Sequence, residues 1–185
     1  MALDTLPKFL KQHYEEYGDK KVALRENDRG IWQKYTWKDY YEKTKDFYYG
    51  LMSLGFEPGD KLAIIGDATP EVYWAELAAQ ARGGIGVAVF TDYTPPEVKF
   101  YLDHSDSKFI VAQAQEQVDK LLEIKDELPK LKKVIYWDPK GLWFYDDPIL
   151  ISFDEILQLG REYEEEHPGL FEQDIENGKG EDLAI

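Results

Sequence analysis

The chain contains no cysteine, so disulfide staples, thiol nucleophiles and thiolate metal sites are all excluded. Histidine is scarce: His13, His104 and His167 are the only three in 185 residues, and no two of them stand at metal-ligand spacing. A metal centre built from this chain alone is therefore not expected. Positive charge is also short, with 22 Lys and Arg against 37 Asp and Glu, and the formal net charge is -15. Such a field repels phosphate and argues against nucleic acid and anionic lipid as general partners. Any anionic ligand has to be held by local amides, a helix end or a cation. No stretch reaches the roughly 18 apolar residues of a membrane-spanning helix. The opening MALDTLPKFL puts Asp4 and Pro7 where a secretory leader needs basic and then apolar residues. These absences together point to a cytoplasmic protein. Neither G-x-G-x-x-G nor G-x-x-x-x-G-K-S/T occurs, which removes the main support for dinucleotide folds and P-loop hydrolases.

What is present is organised around Gly59 to Phe90, GDKLAIIGDATPEVYWAELAAQARGGIGVAVF. Leu62 to Ile65 is a continuous apolar run, as expected of a strand covered on both faces. Thr69 as cap, Pro70 at the first helical position and Glu71 at the positive end of the dipole predict a helix start. That helix, Val72 to Ala81, is apolar or small around most of its circumference and so must be packed on more than one side. Gly83 and Gly84 end it, and IGVAVF resumes a strand of the same buried type, with a right-handed crossover as the default.

The flanks repeat the alternation. Leu6, Phe9, Leu10, His13 and Tyr17 are at helical spacing and Gly18 stops them; Val22 to Glu26 and Ile31 to Thr36 read as a hairpin around Asn27 to Gly30. Thr36 caps a helix striped by Trp37, Tyr40, Tyr41, Thr44, Phe47, Tyr48, Leu51 and Met52, and Gly55 closes it. At this spacing the aromatic stripe is core rather than a platform for bases. Thr94 to Glu97 and Ser152 with Glu155 are capping boxes, and Lys108 to Ala112 and Lys133 to Trp137 read as strands. Val118, Leu121, Leu122 and Lys125 stripe a helix between those two strands. Asp138 to Pro148 is a surface excursion tipped by Trp143, Phe144 and Tyr145, and the acidic stretch from Glu162 to Asp182 reads as mostly solvated. Leu183, Ala184 and Ile185 look like the opening of one more buried strand, so the chain is expected to be a piece of a longer protein. The fold class is α/β: a largely parallel sheet, helices on both faces and an early hairpin.

Candidate chemistry is thin. Gly83, Gly84 and Gly86 follow a helix and precede a strand, the reverse of a phosphate loop. Asp103, His104, Ser105 and Asp106 are consecutive, whereas a nucleophile, its base and its orienter come from separated segments. Lys130, Lys132 and Lys133 form a basic spot best read as a solvated face. From the residues alone the chain is an acidic α/β domain with no catalytic constellation.

Resemblance adds more. VALRE at Val22 to Glu26, GIWQKYTW at Gly30 to Trp37, GLMSLGFEPGDKLAII at Gly50 to Ile65 and PEVYWAELAAQARGG at Pro70 to Gly84 together resemble the N-terminal portion of AMP-forming acyl-CoA synthetases. Within that adenylate-forming superfamily, the GIWQ run and the spacing are similar to the long-chain fatty acyl-CoA ligase branch. The resemblance covers essentially residues 1–185. It implies a reaction in which a fatty or other carboxylic acid attacks the α-phosphate of magnesium-ATP, releasing pyrophosphate, after which CoA displaces AMP. It also implies that the Ser/Thr/Gly-rich phosphate loop, the magnesium carboxylate and the C-terminal domain lie downstream of Ile185. ATP, magnesium and CoA then serve the parent enzyme, with none binding tightly to these residues and no ligase activity from them alone. The family loop that borders the nucleotide end of CoA falls on Phe90, Thr91 and Asp92, where only the phenylalanine matches the family's Phe-Gly-Gly segment. The alternatives are a stand-alone α/β binding module and an assembly module whose aromatic surface drives homo-oligomerisation.

Overall fold

Residues 3–185 are described by a computed structural model of the chain. Helix α1 spans Leu6–Tyr17, capped by Thr5 and stopped at Gly18. Strands β1 (Val22–Asp28) and β2 (Ile31–Thr36) pair antiparallel as a separate hairpin. Arg29 and Gly30 form its two-residue turn, both at positive φ (51° and 84°), the geometry that matches strand twist. Helix α2 (Trp37–Ser53) follows, started by a Thr36–Asp39 capping box.

Five strands then form the main sheet: β3 (Lys61–Ile65), β4 (Ile85–Val89), β5 (Phe109–Ala112), β6 (Lys133–Tyr136) and β7 (Leu150–Ser152). All neighbours are parallel, in the order β4-β3-β5-β6-β7. The connecting helices are α3 (Pro70–Ala81), α4 (Pro95–Ser105) and α5 (Gln115–Ile124), followed after the sheet by α6 (Phe153–Glu166) and α7 (Leu170–Asn177). From β3 the chain steps to β4 on one side and later crosses to β5 on the other. Right-handed crossovers in opposite directions put α3 and α4 on opposite faces.

Two cores result, and alternation along each strand feeds them. Leu62, Ile64, Phe109, Val111 and Ile135 point into the layer of α1, α2, α3, α6 and α7. Ala63, Ile65, Ile110, Ala112 and Val134 point into the layer of α4 and α5. The buried helix α3 touches α1, α2, α7 and the sheet, as its nearly all-round apolar surface requires.

Several expectations are corrected. Thr69 stands at the N-cap of α3, but its hydroxyl makes no capping bond; Pro70 and Glu71 are left as the start signals. Strand β7 was hidden because three residues between a turn and a cap show no period. Leu183–Ile185 is not a strand and is largely exposed at Leu183 and Ile185. A single backbone bond, from Gly86 N–H to the Ala184 carbonyl at 2.9 Å, lays it beside β4. The acidic stretch is exposed along most of its length, yet it contains α7, which buries Phe171 and Ile175. Its carboxylates are used: Tyr48 and Arg82 both donate to Asp174 Oδ2 at 2.7 Å, and Tyr41 donates to Glu172 at 2.8 Å. Buried phenols need such acceptors, and burial, then these carboxylates, push both tyrosine hydroxyls well above their ordinary range.

Helices α2 and α6 pack with their backbones close together. A Cβ on Gly160 would lie 1.8 Å from the Asp46 carbonyl, and one on Gly50 would lie 2.3 Å from the Ile156 carbonyl. Neither carbonyl can yield without moving a helix. Gly160→Ala is therefore expected to cost about 3 kcal/mol in urea unfolding, while Glu165→Ala on the exposed side of the same helix stays within about 0.5 kcal/mol of wild type.

The capping carboxylates give a pH signature. Hydrogen bonds from Ser152 hold Glu155 below the usual carboxylate range, and those from Thr94 do the same for Glu97. A depressed folded-state pKa adds stability that is complete above the unfolded value, about 4.3, and is lost as pH falls through the folded one. Unfolding midpoints of Glu155→Gln and wild type should thus converge in acid and separate at neutral pH.

Candidate functional site

In an open parallel sheet, ligands meet the carboxyl ends of the strands near the point where strand order reverses. Here that point lies between β3 and β5. The loops leaving them are tied together: Gln113 N–H donates to the Ile65 carbonyl at 3.0 Å, and Asp67 N–H donates to Gln113 Oε1 at 2.7 Å. The Trp137 indole covers Gly66 so closely that a Cβ there would come within 2.3 Å of the ring. These contacts narrow the crevice at the switch point.

The opening is displaced toward β4. A cavity of about 290 Å³ is lined by Asp67, Thr91, Asp92, Gln113, Glu116 and Gln117. Lys120 on α5 braces its rim: Nζ donates to the Thr91 carbonyl at 2.6 Å and to Gln117 Oε1 at 3.1 Å, and pairs with Glu116 at 3.2 Å. Phe90 lies just past the end of β4, 71% exposed and edge-on to Tyr93 at 5.4 Å. Its ring also borders a second, more apolar cavity of about 280 Å³ along β4, beside Val72, Glu76 and Val87. Burial pushes the Glu76 carboxyl up.

Of the loop residues singled out from sequence, Thr91 and Asp92 line the first cavity and Phe90 lines the second, so the three are adjacent but do not share one pocket. Sequence reasoning missed Lys120, Gln113 and Asp67. Lys120 is not among the residues that stripe its helix, and nothing in the chain announces that its ammonium reaches a carbonyl 29 residues earlier. Chemically the rim offers a ring face and carboxylates. Asp67, Asp92 and Glu116 outnumber a lysine that is already paired, so the lining does not suit phosphate. Among the described residues no group of three His, Asp or Glu is placed to hold a metal ion.

The other sequence candidates resolve into local structure. Ser105 donates to the Tyr101 carbonyl at 2.7 Å, Asp106 is a left-handed cap at φ 58°, and His104 stacks on Phe100. His13 packs on Trp37 and His167 on Tyr163. Lys130 pairs with Asp106, Lys132 donates to the Gly55 carbonyl and Lys133 to the Pro148 carbonyl. Gly83, at φ 74°, terminates α3.

The family model for "AMP-binding enzyme" matches residues 10–166. The long-chain-fatty-acid–CoA ligase ACSBG2 of Xenopus laevis is 28% identical over 158 residues, covering 85% of this chain and 21% of that protein. ACSBG1 of Bos taurus is 27% identical over 163 residues, covering 88% of this chain and 22% of that protein. The chain therefore spans about a fifth of the length of these curated relatives. Among solved structures, the anthranilate CoA ligase AuaEII in complex with anthranoyl-AMP superposes with a TM-score of 0.74 at 18% identity, over 85% of this chain and 29% of that one. Coronafacic acid ligase from Pectobacterium brasiliense gives 0.72 at 16% identity, over 82% and 29%. These superpositions establish the shared fold.

If the Lys120 ammonium holds the rim, Lys120→Met should speed amide hydrogen exchange at Thr91 to Tyr93 by roughly tenfold, about 1.4 kcal/mol of local opening, with the exchange of β5 unchanged.

Proposed function

The chain belongs to the AMP-binding enzyme family, and on that premise we propose that it builds the N-terminal part of an ATP-dependent acid–CoA ligase acting on fatty acids. The observation that carries this reading is the family match over residues 10–166, joined to curated long-chain-fatty-acid–CoA ligases at 26–30% identity. The reaction joins the acid to AMP with loss of pyrophosphate and then passes the acyl group to the CoA thiol. ATP, Mg²⁺ and CoA supply the chemistry when bound.

The fit of these groups to the described residues is unequal. Among the described residues no triad of acids or histidines is placed for magnesium, and no glycine-rich loop precedes a helix to cradle phosphates. No step of adenylation is assigned to this chain, and these 185 residues alone are expected not to catalyse it. The sheet's contribution is to hold its strand ends in register. Phe90, Thr91 and Asp92 are assigned to the border of the nucleotide end of CoA. The exposed Phe90 ring suits a flat base, while the acidic lining beside Thr91 keeps the phosphates of CoA away from the cavity floor.

Titration of the ¹⁵N-labelled chain with CoA tests the assignment. The amides of Phe90 to Tyr93 should shift with millimolar affinity, pantetheine should leave them still, and Phe90→Ala should weaken the response about tenfold. Shifts confined to other segments, or an undiminished response in Phe90→Ala, would overturn it.

A further inference from the structure

Helices α1, α2 and α3 pack pairwise, and a cavity of about 360 Å³ opens where the three meet. That volume falls within the roughly 300 to 1,000 Å³ of small-ligand sites. Each helix contributes one face. Phe9 and His13 stand at i and i+4 on α1, Trp37 and Tyr40 at i and i+3 on α2, and Tyr73 and Glu76 at i and i+3 on α3. Phe90, Thr91 and Asp92 do not line this cavity, and nothing in the reading of the chain as part of a ligase uses it.

The lining is aromatic apart from one charge. Phe9 and Tyr73 are exposed, whereas Tyr40 is buried. Trp37 is held by two neighbours: Tyr40 stacks on it at 6.1 Å and 12°, and His13 packs against it at 4.4 Å. Glu76 is the only carboxylate in the lining, and no lysine or arginine lines the cavity. Glu76 is half-buried, and the hydrogen bond it accepts from Gln80 Nε2, at 3.2 Å, brings no positive charge. Burial alone pushes its carboxyl up, and among the described residues no cation offsets that desolvation. Burial, then the charge of Glu76 and then Tyr73, raises the Tyr40 hydroxyl as well, which puts the carboxylate within electrostatic reach of that phenol.

This lining restricts the occupant. An anion is repelled by Glu76 and by the net charge of -15. A hydrocarbon suits the rings but leaves Glu76 without a counter-charge. A metal ion or a primary ammonium is strongly hydrated, and walls of rings and leucines replace little of that hydration. A quaternary ammonium has no N–H to satisfy and spreads its charge over methyl groups. Aromatic rings and a carboxylate both attract it.

We propose that this cavity binds the quaternary ammonium group of a small molecule, with Phe9, Trp37, Tyr40 and Tyr73 as its walls and Glu76 as its counter-charge. The probes are choline and its neutral isostere, in which carbon replaces the quaternary nitrogen. Choline added to the ¹⁵N-labelled chain should shift the amides of Phe9 to His13 and of Tyr73 to Leu77 saturably in the millimolar range, and the isostere should bind about tenfold more weakly. Glu76→Gln keeps the shape of the side chain and should weaken choline about tenfold. Tyr73→Ala, at an exposed position, should weaken it about threefold, and Tyr73→Phe should bind as wild type does. The wild-type comparison of the two probes decides the matter even if Glu76→Gln fails to fold. Four results would each overturn the proposal: no saturable shift with choline, equal affinity for the isostere, shifts confined to Val87 to Phe90 in the neighbouring cavity, or unchanged affinity in a folded Glu76→Gln.

Discussion

The structure depends on one constraint: a parallel sheet has to be shielded on both faces. Phe109, Ile110, Val111 and Ala112 make up all of β5, and none has any exposed surface. Parallel strands cannot be joined by tight turns, so each needs a crossover, and crossovers of one hand running in opposite directions along the sheet, β3 to β4 and then β4 to β5, must cover opposite faces. The split of the core into two clusters, one under α3 and one under α4, follows from that topology. So does the location of the candidate rim. Coverage fails along the edge strand β4, where Ala88 is exposed, and at its end, where Phe90 is 71% exposed.

The face bearing α3 is the more heavily built. α2 and α6 approach at Gly50 and Gly160 until backbones nearly touch, and α7 closes the layer by offering carboxylates to tyrosines that would otherwise be stranded in an apolar core. The acidic residues near the C-terminus are therefore partly a hydrogen-bonding surface for α2. Charge that looks like solubility in the sequence serves packing in the structure.

This contrast explains what the sequence discloses. Apolar runs such as Leu62 to Ile65, capping boxes at Thr94 and Ser152, and the turn at Asn27 to Gly30 are local devices whose physics is complete within a few residues, and they predict their elements well. Helix α7 is different: its two buried anchors, Phe171 and Ile175, sit among acids whose partners lie more than 90 residues away. Thr69 stands at the cap position without making the capping bond, so a favourable residue type does not by itself guarantee the contact. At the rim, Phe90 to Asp92 was legible from family resemblance, whereas Lys120 and Gln113 became visible only when distant segments were brought together.

A scaffold and a catalyst differ in what they must contain. The described residues order a sheet and present a ring and an acidic rim; the one ammonium on that rim, Lys120, is already paired with Thr91, Gln117 and Glu116, and no glycine-rich phosphate cradle stands at the strand ends. The most direct measurement is acid-dependent exchange of labelled pyrophosphate into ATP by the purified 185-residue chain with magnesium and a long-chain fatty acid. The scaffold account predicts exchange no faster than the protein-free blank. Exchange that rises with fatty acid concentration and disappears on unfolding the chain would contradict it.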